Sequence, residues 1–427
     1  METLLFINIR SHKVERVQPI IEAKNLGYRV VLMADKNPKL IGKLVDELII
    51  IDSYDIQKTI NTVIEYNKNI KISGVFTWSD KDVELVSFLN KELGLPGINP
   101  EIVQNVRNKY FMRQAMSSVK GLCPNFQEVK SLNDLKEAVA NIGMPGILKP
   151  VGASGSKGIF KIESKTHLED TFNLLLDSTS PNKDKVYSYY PNLYIYEEYI
   201  EGEEFSVEGV VQNKEVFIAG ITDKRVTPKF SLEYIAFFPS DKPEKVKDEI
   251  KKKTKLAIQS LKIDHCAFHL EGRLTESGFK VIEIAARPAG GFITSHLIRL
   301  SSGHSFIEKI IDVAIGNNVK DSWPDYENGN KKLCFYSIRA HQSGLFKKIA
   351  GLDFIMEIPG VIAVIPLKEE GDEVIMPPQH FSSCFIANII LEGESTEDIE
   401  NTIDEIESFI KVEIQCCLLY TSDAADE

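Results

Sequence analysis

Three stretches hold residue types whose spacing suits nucleotide chemistry. The first, Gly146 to Phe160, reads GILKPVGASGSKGIF: an apolar run delivers Lys149 and Pro150, and a small cationic run follows through Gly152, Ala153, Ser154, Gly155, Ser156, Lys157 and Gly158. This predicts a strand, a loop and a returning strand. Glycines there let backbone N–H groups approach phosphate oxygens and take up positive φ, and a lysine supplies charge. An ordinary Gly/Ser hairpin has the same composition. The glycines fall at G-x-x-G-x-x-G, so neither the Walker A spacing nor the G-x-G-x-x-G dinucleotide fingerprint is present.

The second stretch, residues 267 to 291, reads AFHLEGRLTESGFKVIEIAARPAGG. Two strands joined by a Glu-Ser-Gly turn each carry one carboxylate, Glu271 and Glu283, and alternation places both on one face. Carboxylates brought together in an apolar hairpin repel unless a cation lies between them. Mg²⁺ suits them, because it prefers hard oxygens and bridges nucleotide phosphates. Arg287 continues the same alternation, and Gly290-Gly291 can form an N–H-lined nest for an anion. His265 and His269 flank Cys266, but four residues along a strand separate them by about 13 Å, which favours packed or hydrogen-bonded histidines over a metal site. The third stretch, LYIYEEYIEGEEFSVEGVV at 193 to 211, predicts an aromatic strand, a turn at Gly202 and an alternating strand. Its edge could offer main-chain groups to adenine and the Glu204 carboxylate to ribose, while Glu201 and Glu203 read as surface acids.

The elements that must position these residues follow from periodicity. The first hundred residues alternate strand and helix: LLFINI, Val14 to Asn25, RVVLMAD, DELIIID, Ile56 to Tyr66, ISGVFTW and Lys81 to Leu93. That pattern predicts a parallel sheet with helices on both faces, and ligands of such sheets gather at the carboxyl ends of strands. Arg10, Asp35 and the Thr77-Trp78-Ser79-Asp80 turn would then line a crevice, although a helix N-cap accounts equally for Ser79 and Asp80. After LPGINP, residues 101 to 116 read as one helix carrying Asn108-Lys109, and on pattern alone Lys109 is a solvated surface lysine. Thr166 to Leu176 predicts a covering helix and Ser178 to Pro191 an exposed loop. Ser295 to Asn317 predicts a further helix, and residues 333 to 415 a small α+β unit ending in a helix from Thr396 to Ile410. Arg339 and His341 in that unit are expected to stabilise a domain interface.

With 427 residues, 43% hydrophobic and 26% charged, the chain is long enough for two to four globular domains. A net charge of -12 argues against a nucleic-acid partner. The Lys245 to Lys255 run alternates with acids and aliphatics, as on the solvated face of an amphipathic helix. Six cysteines without C-x-x-C pairs suggest a reduced, cytoplasmic setting. The start has no basic and apolar export pattern, and no run of about 18 apolar residues occurs. Cys417 to Glu427 has no periodic pattern, resembles translated adapter sequence, and is expected to be a non-native tail.

Taken in order, Asn108-Lys109, ILKPVGASGSKGI, EEYIEGEEFSVEG and LEGRL…VIEIAARPAGG resemble the ATP-grasp superfamily over residues 1 to 415. ITDKRVTPKFSLEYIAFFPS and GLDFIMEIPGV are similar to its L-amino-acid ligase branch, which is related to biotin carboxylase and the purine-pathway carboxylases. The resemblance implies an α/β and α+β multidomain chain: a Rossmann-like domain at 1–105, an ATP-grasp domain at 106–330, a C-terminal α+β domain at 331–416 and the tail at 417–427. It implies that ATP phosphorylates a carboxylate and that an amine then attacks the acylphosphate. Arg287 and Lys149 would act catalytically, and Lys109 and Lys149 would hold phosphates beneath a lid that includes Ser154, Gly155, Ser156 and Gly158. Glu197, Glu198 and Ile200 would flank adenine and Glu204 the ribose. Glu271 and Glu283 would bind Mg²⁺, with Mn²⁺ as a substitute, and Arg287 with Gly290 and Gly291 would bind the carboxylate substrate. Many members carry Asn where this chain has Ala285, which implies that a second ion would rest on Glu283 and water. Small-molecule carboxylate and amine substrates are expected, without nucleic acid or membrane, and a homodimer is the candidate assembly. A bicarbonate-using carboxylase and a non-catalytic nucleotide-binding module stand as alternatives.

Overall fold

Four short apolar strands, β1 (Thr3–Ile7), β2 (Arg29–Ala34), β3 (Glu47–Ile50) and β4 (Ile72–Thr77), form a parallel sheet in the order β3-β2-β1-β4. Successive residues feed opposite faces. Leu4, Phe6, Val30 and Leu32 pack in one cluster with Ile20 and Ala23 of α1 (Lys13–Asn25). Leu5, Ile7, Val31 and Met33 pack in another with α2 (Ile56–Asn69) and α3 (Val83–Leu93). Apolar strands buried on both sides are what a parallel sheet between helix layers requires. The computed structural model describes residues 1–8, 13–38, 43–329 and 331–415; Arg10 and the tail from 417 lie outside them. The chain separates into two units, Met1–Leu333 and Cys334–Glu427.

The single helix expected over 101–116 is broken. After α4 (Gln104–Arg107), Asn108 turns extended (φ -120°, ψ 115°), and its side chain accepts hydrogen bonds from the amides of Tyr110 and Phe111 to cap α5 (Lys109–Met116). Asparagine competes with helix from its side chain and is favoured as a cap, so the break falls at the residue best suited to it.

An antiparallel sheet follows, β5-β8-β6-β7, built from β5 (Phe126–Val129), β6 (Gly146–Pro150), β7 (Phe160–Ile162) and β8 (Tyr194–Glu198). α6 (Leu132–Ile142) and α7 (Leu168–Ser178) bury Leu135, Val139, Phe172 and Leu175 against it. The segment 178–191, expected as an exposed loop, is instead a strap containing a 3-10 turn at Lys185–Ser188, with Val186 and Tyr187 buried. Its aromatic residues overrode the polar composition around them.

The largest sheet of the first unit is antiparallel, β13-β12-β9-β10-β11, from β9 (Glu203–Gln212), β10 (Glu215–Val226), β11 (Glu233–Phe238), β12 (Cys266–Thr275) and β13 (Gly278–Ala285). α8 (Glu244–Leu261) buries Ile250, Ala257, Ile258 and Leu261 against it, which confirms the lysine run as the outer face of an amphipathic helix. The helix expected over 295–317 is split into α9 (Ile298–Ser302) and α10 (Phe306–Ile315): Gly303 adopts φ +76° and Ser305 caps the new start through the amide of Glu308.

In the second unit β14 (Lys332–Arg339), β18 (Phe385–Gly393) and β16 (Val361–Pro366) lie side by side. β15 (Gly344–Ala350) pairs with β17 (Glu373–Val374) and β19 (Lys411–Gln415). α11 (Leu352–Ile355) is a single turn, and α12 (Thr396–Phe409) begins with a Ser395–Asp398 capping box.

Candidate active site

The β12–β13 hairpin sets Glu271 directly opposite Glu283, and a bulge follows between Glu271 and Gly272. The two carboxylates share a face, as alternation predicts. Glu271 Oε1 accepts from Lys224 Nζ at 2.6 Å and lies 3.2 Å from His269 Nε2. Lys224 stands on β10 and also meets Glu233 at 2.7 Å. Burial alone would raise the Glu271 carboxyl, but Lys224 and His269 outweigh it and hold it well below the usual range. His269 is the cross-strand partner of Glu208 and lies 3.1 and 3.0 Å from its two oxygens; Ser206 donates to Glu208 at 2.8 Å. Burial opposes the imidazolium, yet Glu208 and Glu271 push His269 up to about 9. His269 is thus a hydrogen-bonded histidine, as expected, and it connects a buried carboxylate to one of the paired ones.

The cap at Asn108 sends Lys109 inward. Its amide donates to Val151 O at 2.8 Å, and its Nζ donates to Ala153 O at 2.6 Å and Glu283 Oε1 at 2.9 Å. Lys109 is 5% exposed, so the surface-lysine reading fails. Lys149 on β6 is equally buried and meets Glu197 Oε2 at 2.6 Å, while Arg113 of α5 meets Glu197 Oε1 at 2.7 Å and donates to Ile282 O. Burial would raise Glu197, but Arg113 and Lys149 together hold it low; burial lowers Lys149 more than Glu197 restores it. Arg113 carried no signal beyond its place three residues after Tyr110 on α5.

The glycine loop joins antiparallel β6 and β7. Ser156, Gly155 and Gly158 take φ of +57°, +70° and +74°, so the small residues serve a left-handed turn. Ser156 donates to Ser231 O at 2.9 Å, and Lys157 meets Asp184 of the strap at 2.5 Å. Ser154 lies in the same loop. The strap also reaches the first sheet: Lys185 pairs with Asp52 at 2.7 Å and Tyr189 stacks on Tyr54 with centroids 5.5 Å apart.

At the other end of the hairpin Arg273 gathers two predicted residues. It donates from Nε and Nη2 to Glu204 Oε2 at 3.1 and 2.8 Å and from Nη1 to the Ile200 carbonyl at 2.9 Å. Glu204 is raised by burial and by Glu271, against the pull of Arg273. Glu198 receives Lys280 Nζ at 3.2 Å and the Asn125 amide at 3.2 Å. Arg273 and Lys224 were readable in principle, since each alternates onto the carboxylate face, but parity alone does not say that a cation is shared.

Arg287 Nε donates to Asp80 Oδ2 at 2.9 Å and Nη1 to Pro288 O at 2.8 Å. Asp80 therefore belongs with the hairpin rather than serving as a helix cap. Gly291 and Phe292 both take φ near +60°, at +61° and +62°, which turns the chain into the helical segment that follows. Of the expected crevice, Asp35 accepts from the Ser53 amide at 2.8 Å, buried Lys81 bonds Ser53 and Asp82, and Thr77 Oγ1 donates to Ile7 O at 2.8 Å. Arg339 and His341 belong to the second unit. Among the described residues no cluster of three or more His, Cys, Asp or Glu forms a metal cage, and no helix is long and apolar enough to cross a membrane.

Comparison with known proteins accords with this layout. Residues 142–296 match the ATP-grasp domain and residues 20–97 the ATP-grasp N-terminal domain. The chain is similar to alanine–anticapsin ligase of Bacillus subtilis (strain 168), 32% identical over 215 residues, 47% of this chain and 45% of that protein. It is 24% identical to the L-arginine-specific L-amino acid ligase of Bacillus subtilis over 406 residues, covering 94% and 95%. With dapdiamide A synthase of Enterobacter agglomerans it shares 27% identity over 268 residues, and this match spans 60% of each chain. The fold is that of the L-amino acid ligase from Bacillus licheniformis, with TM-score 0.82, 21% identity and coverage of 97% and 99%. Biotin carboxylase from Campylobacter jejuni gives TM-score 0.69 at 17% identity, covering 96% and 92%. This chain therefore carries an ATP-grasp domain preceded by its N-terminal domain, in a mixed α/β multidomain fold, and has L-amino acid ligases among its homologues.

Proposed function

We propose that this chain is an ATP-dependent ligase that activates a carboxylate as an acylphosphate and joins it to an amine, with amino acids as substrates and ADP and phosphate as products. The observation that carries the reading is the facing pair Glu271 and Glu283, ringed by Lys109, Lys224 and Arg287. A pair of carboxylates, with no third His, Cys, Asp or Glu clustered beside it among the described residues, suits Mg²⁺, which takes one or two carboxylates and completes its shell with phosphate oxygens and water. Bound there, Mg²⁺ would neutralise charge on the transferring phosphoryl group. Phosphoryl transfer asks little of side chains beyond positioning and electrostatics.

In this reading Lys109 and Lys149 bind ATP phosphates, and the 152–158 loop with Ser154, Gly155, Ser156 and Gly158 excludes water from the acylphosphate. Glu197, Glu198 and Ile200 form the adenine side and Glu204 the ribose side. Arg287, held by Asp80, orients the substrate carboxylate beside Gly290 and Gly291. A carboxylate oxygen attacks the γ-phosphorus as ADP leaves; the amine then attacks the acyl carbon, loses a proton and expels phosphate. The domain limits 1–105, 106–330 and 331–416 and a cytoplasmic setting belong to the same proposal.

The deciding assay is phosphate release from ATP and Mg²⁺ across amino acids, singly and in pairs, with bicarbonate as a control. Amino-acid pairs should raise the rate, and Glu283→Ala should abolish it. Stimulation by bicarbonate alone would transfer the chain to the carboxylases.

A further inference from the structure

The glycine loop rests on the strap at both of its ends and between them. A Cβ added at Gly152 would lie 2.2 Å from Tyr190 Cδ2, and one at Gly158 would lie 2.8 Å from Thr179 Cγ2. Between these points Ala153 packs in one buried cluster with Val186 and Tyr187, and Lys157 Nζ donates to Asp184 Oδ2 at 2.5 Å. The middle glycine differs. A Cβ at Gly155 would meet nothing within 4 Å, and its φ of +70° alone calls for glycine. Gly152 has no left-handed φ, so it is the Tyr190 ring that excludes a side chain there. Gly158, with φ +74°, answers to both demands. The first and last glycines of the G-x-x-G-x-x-G spacing thus mark where loop backbone and strap touch.

The strap is itself held from its other side. Tyr190 OH donates to Gln104 Oε1 at 2.5 Å, and Gln104 Nε2 donates to Glu84 Oε1 at 3.0 Å, which pins the ring beneath Gly152. Arg107 stands over the Tyr189 ring, 5.8 Å from its centroid, while Tyr189 stacks on Tyr54 and Lys185 pairs with Asp52. Asp184 divides its two oxygens. Oδ1 accepts from the Val186 amide at 3.0 Å and caps the 3-10 turn, and Oδ2 holds Lys157. One carboxylate therefore ties the turn inside the strap to the loop above it. Cradling phosphates calls for small residues and backbone N–H groups. It does not call for an aromatic floor under the first glycine.

We propose that the strap positions the glycine loop over the phosphates, with Asp184 and Tyr190 as positioning residues, so that loop and strap act as one body that keeps water from the acylphosphate. The assignment rests on the ligase reading above and names what holds its lid in place. The bond from Lys109 Nζ to Ala153 O sets the same loop beside a lysine of the phosphate site, so the pose that the strap supports is the working one. A loop that lifts from the strap admits water, which competes with the amine for the acylphosphate. Each such event consumes one ATP and one water, returns the carboxylate, and yields ADP and phosphate without an amide.

Two variants loosen the strap's hold in different ways. Asp184→Asn keeps an acceptor for the Val186 amide, since asparagine also caps, and removes the charge that faces Lys157. The two side chains are 36% and 32% exposed, so the hold should weaken by about 2- to 5-fold. Tyr190→Ala removes the floor and should loosen the loop about tenfold or more, and Tyr190→Phe, which keeps the ring, should recover most of that loss. Hydrogen exchange by mass spectrometry on peptides covering 151–160, without substrates, should be faster by these factors. With an amino-acid pair that drives phosphate release in wild type, phosphate released per amide formed should rise in the same order. A merely structural lesion would lower phosphate and amide together and leave their ratio at the wild-type value. Asp184→Asn should add nothing to the ratio in a Lys157→Gln background. Unchanged exchange of the loop in both Asp184→Asn and Tyr190→Ala would overturn the strap's hold, whatever the activity. Faster exchange with an unchanged ratio would overturn its guarding role. No phosphate release with any pair in wild type would sink the ligase reading and the guarding role with it, while the exchange rates still decide whether the strap holds the loop.

Discussion

Glu197→Gln isolates the most consequential buried charge in the nucleotide half of the molecule. The Glu197 carboxylate answers two cations with separate oxygens, Arg113 at 2.7 Å and Lys149 at 2.6 Å, and the side chains of Arg113, Lys149 and Glu197 are 0%, 5% and 2% exposed. An amide keeps the shape but leaves both cations facing no charge. Removing one partner of a buried ion pair costs about 3–5 kcal/mol, because the other charge stays desolvated. Arg113 cannot shed its proton but keeps the Ile282 carbonyl. Lys149 can become neutral, which at pH 7 costs about 4.6 kcal/mol from an ordinary lysine pKa and so bounds its share of the damage.

The thermal midpoint of the variant should therefore fall by roughly 5–15 °C at pH 7. The deficit has a sign with pH. Burial already lowers Lys149, and losing Glu197 lowers it further. The unfolded chain then binds more protons than the native one above the depressed value, so stability rises with pH by up to about 1.4 kcal/mol per unit. Glu197 gives a slope of the same sign at lower pH: its lowered carboxyl gives the wild type stability that is present above the ordinary carboxylate pKa and lost as pH falls through the folded value. Melts of both proteins by circular dichroism at pH 5, 7 and 9 check this. A midpoint change under about 2 °C, or a deficit that grows from pH 7 to 9, would refute the reasoning.

Three further outcomes follow from single contacts. Glu208→Gln should loosen His269 and with it Glu271, and lower Mn²⁺ affinity in the presence of nucleotide about tenfold by electron paramagnetic titration; unchanged affinity would reduce the Ser206–Glu208–His269 chain to packing. Gly202→Ala should destabilise by more than about 2 kcal/mol in thermal melts, since Gly202 has φ +152° and an added Cβ would lie 2.1 Å from the Leu274 carbonyl. Ser395→Ala should cost about 1 kcal/mol by removing the cap of α12, while nucleotide affinity measured by titration stays at the wild-type value.

The sequence disclosed whatever rests on strict periodicity. Alternation sufficed for Glu271 opposite Glu283, and buried apolar runs sufficed for the four parallel strands, because one residue of slip would turn a core face to solvent. What periodicity cannot carry was lost. The break at Asn108 needs a side-chain cap that competes with a strong helical pattern on both sides. The strap reads as polar loop although Tyr187 and Tyr189 anchor it, because their partners come from distant segments such as Tyr54. Lys224 and Arg273 are invisible as site residues until β12, β9 and β10 are laid side by side, and Arg113 until α5 is set against Glu197 of β8, since a lysine or arginine declares no partner by itself.

That loss bears on how the glycine loop is understood. Lys109 Nζ holds the Ala153 carbonyl, 44 residues away, and the Glu283 carboxylate, 174 residues away, with one ammonium group. An ammonium has three donors and a single charge, so any anion that draws Lys109 toward itself weakens its hold on both the loop and the hairpin. Lys224 stands in the same relation to Glu271 and Glu233. Each proposed metal carboxylate is thus balanced by a lysine that also grips a second element. A nucleotide entering this wall exchanges partners rather than filling a gap, and through Lys109 that exchange reaches the loop proposed to close over the phosphates. Loop and hairpin, which look like independent motifs along the chain, share a cation, and the coupling between them resides in a residue whose local pattern alone reads as surface lysine.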